Sequence, residues 1–114
     1  MDQTVLSLLK TQAYVDGERV GTPTLPVFDK SNGDEIAKVS DVSAELAEQA
    51  VEAAYAAQKA WARTMARERA QVLRRWYREI LAHVDELAIL ITCEQGKPLA
   101  EAKGEIDYGA EFVA

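Results

Sequence analysis

The stretch Glu94-Gln95-Gly96-Lys97-Pro98-Leu99-Ala100-Glu101-Ala102 decides how the second half of this chain is organised. Glycine adopts the left-handed conformation at little steric cost, so Gly96 is predicted to end one helix. Pro98 suits the first turn of the next helix, where an N–H group has no intrahelical partner. Beyond it, helical spacing continues to the last residue, Ala114, with no glycine or proline to cap it, through Leu99, Ala102, Ile106, Gly109, Ala110 and Val113. One helix is therefore predicted to end, and another to begin, around Gly96.

Upstream of this junction, helical periodicity begins at Ser43, which gives about four helices in all. Ser43 is predicted to cap the first of them, whose apolar side carries Leu46, Ala50, Ala53, Ala54, Ala57 and Trp61. Thr64 is the predicted cap of the second helix, which carries Ala70, Leu73, Tyr77, Ile80, Leu81 and Val84. Asp85 is the predicted cap of a third, short helix with Leu87, Leu90 and Ile91.

The first forty residues have the pattern of short strands and turns. Strands are predicted at 13–15 and 18–20, because Asp16-Gly17 suits a tight hairpin with positive φ at both positions. Two prolines, Pro23 and Pro26, are predicted to interrupt regular structure. A second hairpin is predicted from strands at 27–29 and 36–39 around Asn32-Gly33.

Composition excludes several classes of protein. The 114 residues are 48% hydrophobic and 28% charged, which is ordinary for a globular domain and not for a disordered chain. A net charge of -6 gives no overall attraction to nucleic acid. The longest nearly apolar run, 87–93, is far shorter than the ~20 residues that span a bilayer, and no leader-like start is present. Neither nucleic acid nor membrane is expected as a partner, and with one cysteine the cytoplasm is the expected location.

Few side chains suggest chemistry. Cys93 is either a nucleophile or a buried structural residue, and its apolar helical context favours the structural role. His83 is the single histidine and has no second ligand at zinc spacing. Lys97 follows a glycine, yet the surrounding residues do not form a phosphate loop, so we expect it to bind helix-end carbonyls or Glu94 or Glu101. The arginines of 63–78 are expected on a solvated or subunit-facing surface.

Four segments, taken in order, resemble the aldehyde dehydrogenase superfamily. They are Tyr14 to Glu18, Ala50 to Trp61, Arg67 to Arg75, and Glu94 to Pro98. Within that superfamily, the run from Glu94 to Ile106, followed by Tyr108 and Phe112, is most similar to succinate-semialdehyde dehydrogenases. One departure is the turn at 30–35, which keeps a glycine but lacks the proline usual in the family.

The resemblance implies an α/β enzyme in which a cysteine thiolate attacks the aldehyde and hydride passes to NAD or NADP. It implies that residues 1–114 are an N-terminal fragment, with β-hairpins in 1–40 and helices in 43–114 that cover a Rossmann-like cofactor domain. The catalytic and cofactor-binding residues then lie beyond Ala114, so no catalytic, cofactor-binding or metal residue is expected in this chain, and the chain alone is expected to be inactive and to bind no cofactor. The full-length enzyme is expected to be a homo-oligomer, a dimer or tetramer, acting on a small aldehyde.

Three residues are expected to line the substrate channel on the same resemblance. Glu105, Tyr108 and Phe112 share one face of the last helix by spacing. The alternative for this trio is ordinary packing between helices. The alternative for the whole chain is a self-contained helical interaction module with a β-hairpin arm and no catalytic activity.

Overall fold

The computed structural model describes residues 1–114 and contains four strands and five helices. Their order is α1 (Gln3–Leu8), β1 (Ala13–Val15), β2 (Glu18–Val20), β3 (Pro23–Phe28), β4 (Glu35–Ser40), α2 (Ala44–Arg63), α3 (Ala66–Ala82), α4 (Val84–Gln95) and α5 (Leu99–Glu111). The predicted succession of β-hairpins and then helices is confirmed. None of the helices combines the length and apolarity needed to cross a membrane.

The first hairpin agrees with its prediction residue by residue. Strands β1 and β2 pair antiparallel, with Ala13 opposite Val20 and Val15 opposite Glu18. Asp16 has φ 50° and Gly17 has φ 80°, so both turn residues occupy the left-handed region. This is the conformation that the Asp-Gly step favours in a two-residue turn.

The second hairpin corrects the prediction about the prolines. Both Pro23 and Pro26 lie within β3, which pairs antiparallel with β4. A two-stranded sheet leaves one edge of each strand unpaired, so a proline can be accommodated where its missing N–H faces away from the partner. The register also shifts between Pro23 and Leu25, which is the kind of irregularity where proline is tolerated.

The helix starts show one correct cap and two wrong ones. The Ser43 hydroxyl accepts a hydrogen bond from the Leu46 N–H at 3.2 Å and caps α2 as predicted. Thr64 does not cap α3, because its hydroxyl donates back to the Ala60 carbonyl at the end of α2. Only His83 separates α3 from α4, so α4 begins at Val84 and Asp85 lies in its first turn, near the positive end of the helix dipole.

The junction at Gly96 is formed as predicted, but α5 begins one residue later and ends three residues earlier than predicted. Gly96 ends α4 in the left-handed conformation with φ 76°, and its N–H donates to the Thr92 carbonyl at 2.8 Å. Helix α5 begins at Leu99, just after Pro98, and ends at Glu111 instead of continuing to Ala114.

Helix α1 is the element that the sequence did not predict. Its six residues are too few to show a helical period. The Asp2 side chain accepts from the Thr4 N–H at 2.9 Å, and the helix packs against α4 with Val5 buried. Tertiary contact therefore stabilises a helix that is too short to be stable alone.

Burial is sparse throughout the molecule. Four residues are buried, Val5, Ala88, Ala102 and Ala110, and none of them is large. The accessible surface is 8227 Å², against about 6,200 Å² for a compact monomer of this size. The radius of gyration is 16.5 Å, against about 13 Å for a compact domain of this length. The helices thus form an extended layer and do not enclose a core.

Candidate functional site

An open groove lies where α3, α4 and α5 meet. Its volume is about 550 Å³, and its lining is apolar except at one charged residue, Glu105. The lining residues are Trp76, Ile80, Leu87, Ile91, Glu105, Ile106, Tyr108, Gly109 and Ala110. A concave apolar surface with a single charged group is the general character of a small-molecule site.

Small residues and two polar contacts fix α5 beside its neighbours. The buried residues of α4 and α5 are all alanines, which lets the two helix backbones approach closely. The Lys103 ammonium forms an ion pair with the Asp85 carboxylate at 2.7 Å, joining α5 to the start of α4. The Tyr77 hydroxyl donates to the Glu111 carboxylate at 3.4 Å, joining α3 to the end of α5.

The structure brings the three predicted channel residues together on one face of α5. Tyr108 and Phe112 meet edge to face, with ring centroids 5.1 Å apart and an interplanar angle of 81°. Glu105 and Tyr108 line the groove, whereas Phe112 lies outside it and contacts the Tyr108 ring. Tyr108 is 68% exposed and Phe112 75% exposed, so neither ring is packed between helices within this chain. Their role in a substrate channel stays a prediction.

Lys97 has a different partner from the ones predicted. Its ammonium pairs with the Glu105 carboxylate, and not with Glu94 or Glu101. Lys97 precedes α5, and Glu105 is eight residues further along the chain, whereas the predicted partner Glu101 is four residues away. Helical spacing favours partners three or four residues apart, so the sequence pointed to Glu101 and carried no signal for the pair with Glu105.

Cys93 has the surroundings of a structural cysteine. Burial raises the pKa of its thiol, and the negative charge of Asp29 raises it further. The Cys93 carbonyl accepts a hydrogen bond from the Lys30 N–H at 2.9 Å, which ties the end of α4 to the turn after β3. Because a thiol must lose its proton to become a nucleophile, this environment opposes catalysis.

The remaining polar candidates do not assemble into a site. His83 is half-buried at the junction of α3 and α4, and its Nδ1 has no hydrogen-bond partner. No three histidine, cysteine, aspartate or glutamate side chains converge with the geometry of a metal site. The two ion pairs of the molecule use lysines, so the arginines of α3 bind no carboxylate within it.

The start of α5 lacks two features of a phosphate-binding loop. A phosphate cradle uses free backbone N–H groups at a helix start and a lysine that is available to the phosphate. Here Pro98 has no N–H, and the Lys97 ammonium is engaged by Glu105. The glycine before them therefore serves to end α4.

Comparisons with known proteins cover nearly the whole chain. Residues 14–114 match the model of the aldehyde dehydrogenase family. The chain is 48% identical over 110 residues to a 3-sulfolactaldehyde dehydrogenase of Pseudomonas putida, covering 94% of this chain and 23% of that protein. It is 42% identical over 110 residues to the NADP-dependent succinate-semialdehyde dehydrogenase of Escherichia coli, with the same two coverages.

A solved structure supports the same relationship. The crystal structure of succinate-semialdehyde dehydrogenase from Burkholderia pseudomallei superposes with a TM-score of 0.86 at 43% identity, covering 97% of this chain and 23% of that one. The chain therefore spans less than a quarter of the length of these relatives. With its two hairpins and its helical layer matching the N-terminal part of such structures, this α/β chain belongs to the aldehyde dehydrogenase family.

Proposed function

We propose that this chain is the N-terminal fragment of an NAD(P)-dependent dehydrogenase that oxidises a small aldehyde to a carboxylic acid, with succinate semialdehyde as the substrate. Support for the substrate comes from two similar enzymes, one named for succinate semialdehyde and the other for 3-sulfolactaldehyde. Both aldehydes carry an acidic group away from the reacting carbonyl. NAD or NADP accepts the hydride in this proposal, through residues outside this chain.

The observation that supports the fragment assignment is the large exposed surface, which includes large apolar side chains. The chain exposes about 2,000 Å² more than a compact monomer of its size, and the exposed apolar residues away from the α5 groove include Val51, Tyr55 and Trp61. Large apolar patches of this kind mark contact surfaces. The chain is thus proposed to be one layer of a larger enzyme, covered by the rest of the family fold. A self-contained interaction module is disfavoured, because a module needs a core of its own.

Within that enzyme, the proposed contribution of this chain is to shape the substrate entrance. Glu105, Tyr108 and Phe112 present a carboxylate and two rings along one face of α5. The rings exclude water from an approaching hydrocarbon chain, and the carboxylate makes the entrance sensitive to charge. The chain performs no chemical step. We also propose that the full-length enzyme is a homo-oligomer, either a dimer or a tetramer, and that it is located in the cytoplasm.

The experiment compares the 114-residue chain with the longer enzyme proposed to contain it. The longer enzyme is expected to reduce NAD or NADP when given succinate semialdehyde, and the chain alone is expected to form no reduced cofactor. The chain alone is also expected to bind the apolar dye ANS and to self-associate. The proposal is contradicted if the longer enzyme does not oxidise the aldehyde. It is also contradicted if the chain alone is monomeric, does not bind ANS and melts in a sharp transition.

A further inference from the structure

The turn between β3 and β4 carries the only asparagine of the chain, Asn32, and a glycine follows it directly. Both residues are exposed, and a Cβ atom added at Gly33 would meet nothing within 4 Å. The side-chain amide of an asparagine can be attacked by the backbone nitrogen of the next residue. Glycine hinders that attack least, because it has no Cβ atom. The turn therefore contains the two residues that this reaction needs, in open surroundings.

Two hydrogen bonds act on the reacting groups in opposite ways. The Asp34 N–H donates to Asn32 Oδ1 at 2.8 Å, which polarises the side-chain carbonyl and stabilises the negative charge that develops on its oxygen during attack. The Gly33 N–H donates to the Asp29 carbonyl at 2.8 Å and must be released before its nitrogen can react. Opening one such exposed bond slows the reaction about fivefold, which corresponds to about 1 kcal/mol. The folded turn therefore permits the reaction.

We propose that Asn32 is a site of spontaneous deamidation in the folded protein. The Gly33 nitrogen forms a bond to Asn32 Cγ and gives up its proton, while the bond from Cγ to the side-chain nitrogen breaks. Ammonia leaves and a cyclic succinimide remains. Water then opens the ring at either carbonyl, which gives aspartate or isoaspartate at this position. No electrons are transferred, water is the only co-reactant, and neither aldehyde nor cofactor takes part, so the proposal does not depend on the proposed function.

The products disturb the turn and the contact that it makes with α4. Each product adds a negative charge between Asp29 and Asp34, and the carboxylates repel one another. Isoaspartate also leads the main chain through its side-chain carbon, which displaces the Gly33 N–H from the Asp29 carbonyl. In the same turn, the Lys30 N–H donates to the Cys93 carbonyl near the end of α4 at 2.9 Å. Isoaspartate is therefore expected to weaken the contact between the second hairpin and α4.

The test is mass spectrometry of the longer enzyme after incubation at pH 8 in heavy-oxygen water, followed by digestion with trypsin in ordinary water. Trypsin cuts after Lys30 and Lys38 and releases residues 31–38, which contain Asn32 and no glutamine. This peptide is expected to gain one heavy oxygen atom and to separate into an aspartate and an isoaspartate form. Asn32→Gln is the matched control, because its longer side chain keeps the amide but closes a ring less readily. It is expected to stay unchanged.

The free peptide 31–38 is the reference for the effect of the fold. The folded enzyme is expected to convert no more than about fivefold more slowly than this peptide. The proposal is wrong if Asn32 stays intact in the folded enzyme while the free peptide converts, or if aspartate forms without isoaspartate. Asn32→Asp adds the charge but leaves the main chain unchanged. The aged wild type is therefore expected to melt at a lower temperature than Asn32→Asp, and equal melting temperatures contradict the proposed effect on the turn.

Discussion

Replacing Gly96 by alanine tests how the junction between α4 and α5 is built. Gly96 has φ 76°, where a Cβ atom costs an L-residue about 1 kcal/mol or more. A Cβ there also lies 3.2 Å from the Lys30 Cβ, closer than ordinary van der Waals contact. Lys30 cannot easily move away, because its N–H donates a hydrogen bond to the Cys93 carbonyl at 2.9 Å. Alanine also restricts the unfolded chain, which offsets part of this cost. We therefore expect Gly96→Ala to lower the free energy of unfolding by about 1.5 kcal/mol.

Gly104→Ala is the matched control for this prediction. Gly104 lies in the middle of α5, and a Cβ added there meets nothing within 4 Å. The same substitution should therefore raise the free energy of unfolding by about 0.5–1 kcal/mol through helix propensity. Urea unfolding of the longer enzyme proposed to contain this chain, followed by helical circular dichroism, measures both variants. If the two shift stability in the same direction, or if Gly96→Ala is neutral, the account of the junction is wrong.

Three further predictions concern side chains outside the groove. Ser43→Ala should lower the free energy of unfolding by about 1 kcal/mol in the same urea assay, because the Leu46 N–H loses its cap. Hydrogen bonds from Ser31 hold the pKa of Asp29 below its ordinary value of 3.8, so the stabilisation by its carboxylate is present above that pH and is lost as the pH falls further. Asp29→Asn should therefore be less stable than wild type at pH 7, and a pH series of melting temperatures should show the difference fading in acid. Because burial raises the pKa of Cys93 above 9.0, its reaction with Ellman's reagent at pH 8 should be slower than that of glutathione.

Local structure was predictable wherever neighbouring residues decide it. The Asp16-Gly17 turn, the Ser43 cap and the end of α4 at Gly96 each depend on a few adjacent residues, and each was found as predicted. Thr64 failed as a cap because two helix ends compete for it, and the end of α2 uses its hydroxyl. Helix α1 was missed because its contact with α4 joins distant parts of the sequence.

The apolar sides of the helices show what periodicity can and cannot predict. The spacing of Leu46, Ala50 and Ala53 predicts correctly that they share one side of α2, and these three are half-buried. Yet α2 has no buried residue, and Trp61 on the same side is 41% exposed. The helical period determines which residues share a face, whereas burial depends on what lies opposite that face.

In the groove, too, the sequence predicts which residues share a face but not what lies opposite them. Spacing placed Glu105, Tyr108 and Phe112 on one face of α5, and the structure adds that α3 and α4 supply the opposite wall through Trp76, Ile80 and Leu87. A surface that packs against the rest of the enzyme loses its exposure in the assembled protein, whereas a substrate entrance keeps part of it. In this chain Trp76 is 57% exposed and Tyr108 is 68% exposed. The exposure of these two side chains in the longer enzyme therefore distinguishes a packed surface from a substrate entrance. Tyr108 is expected to stay accessible to solvent in the longer enzyme, because a ring sealed between helices cannot contact an entering aldehyde.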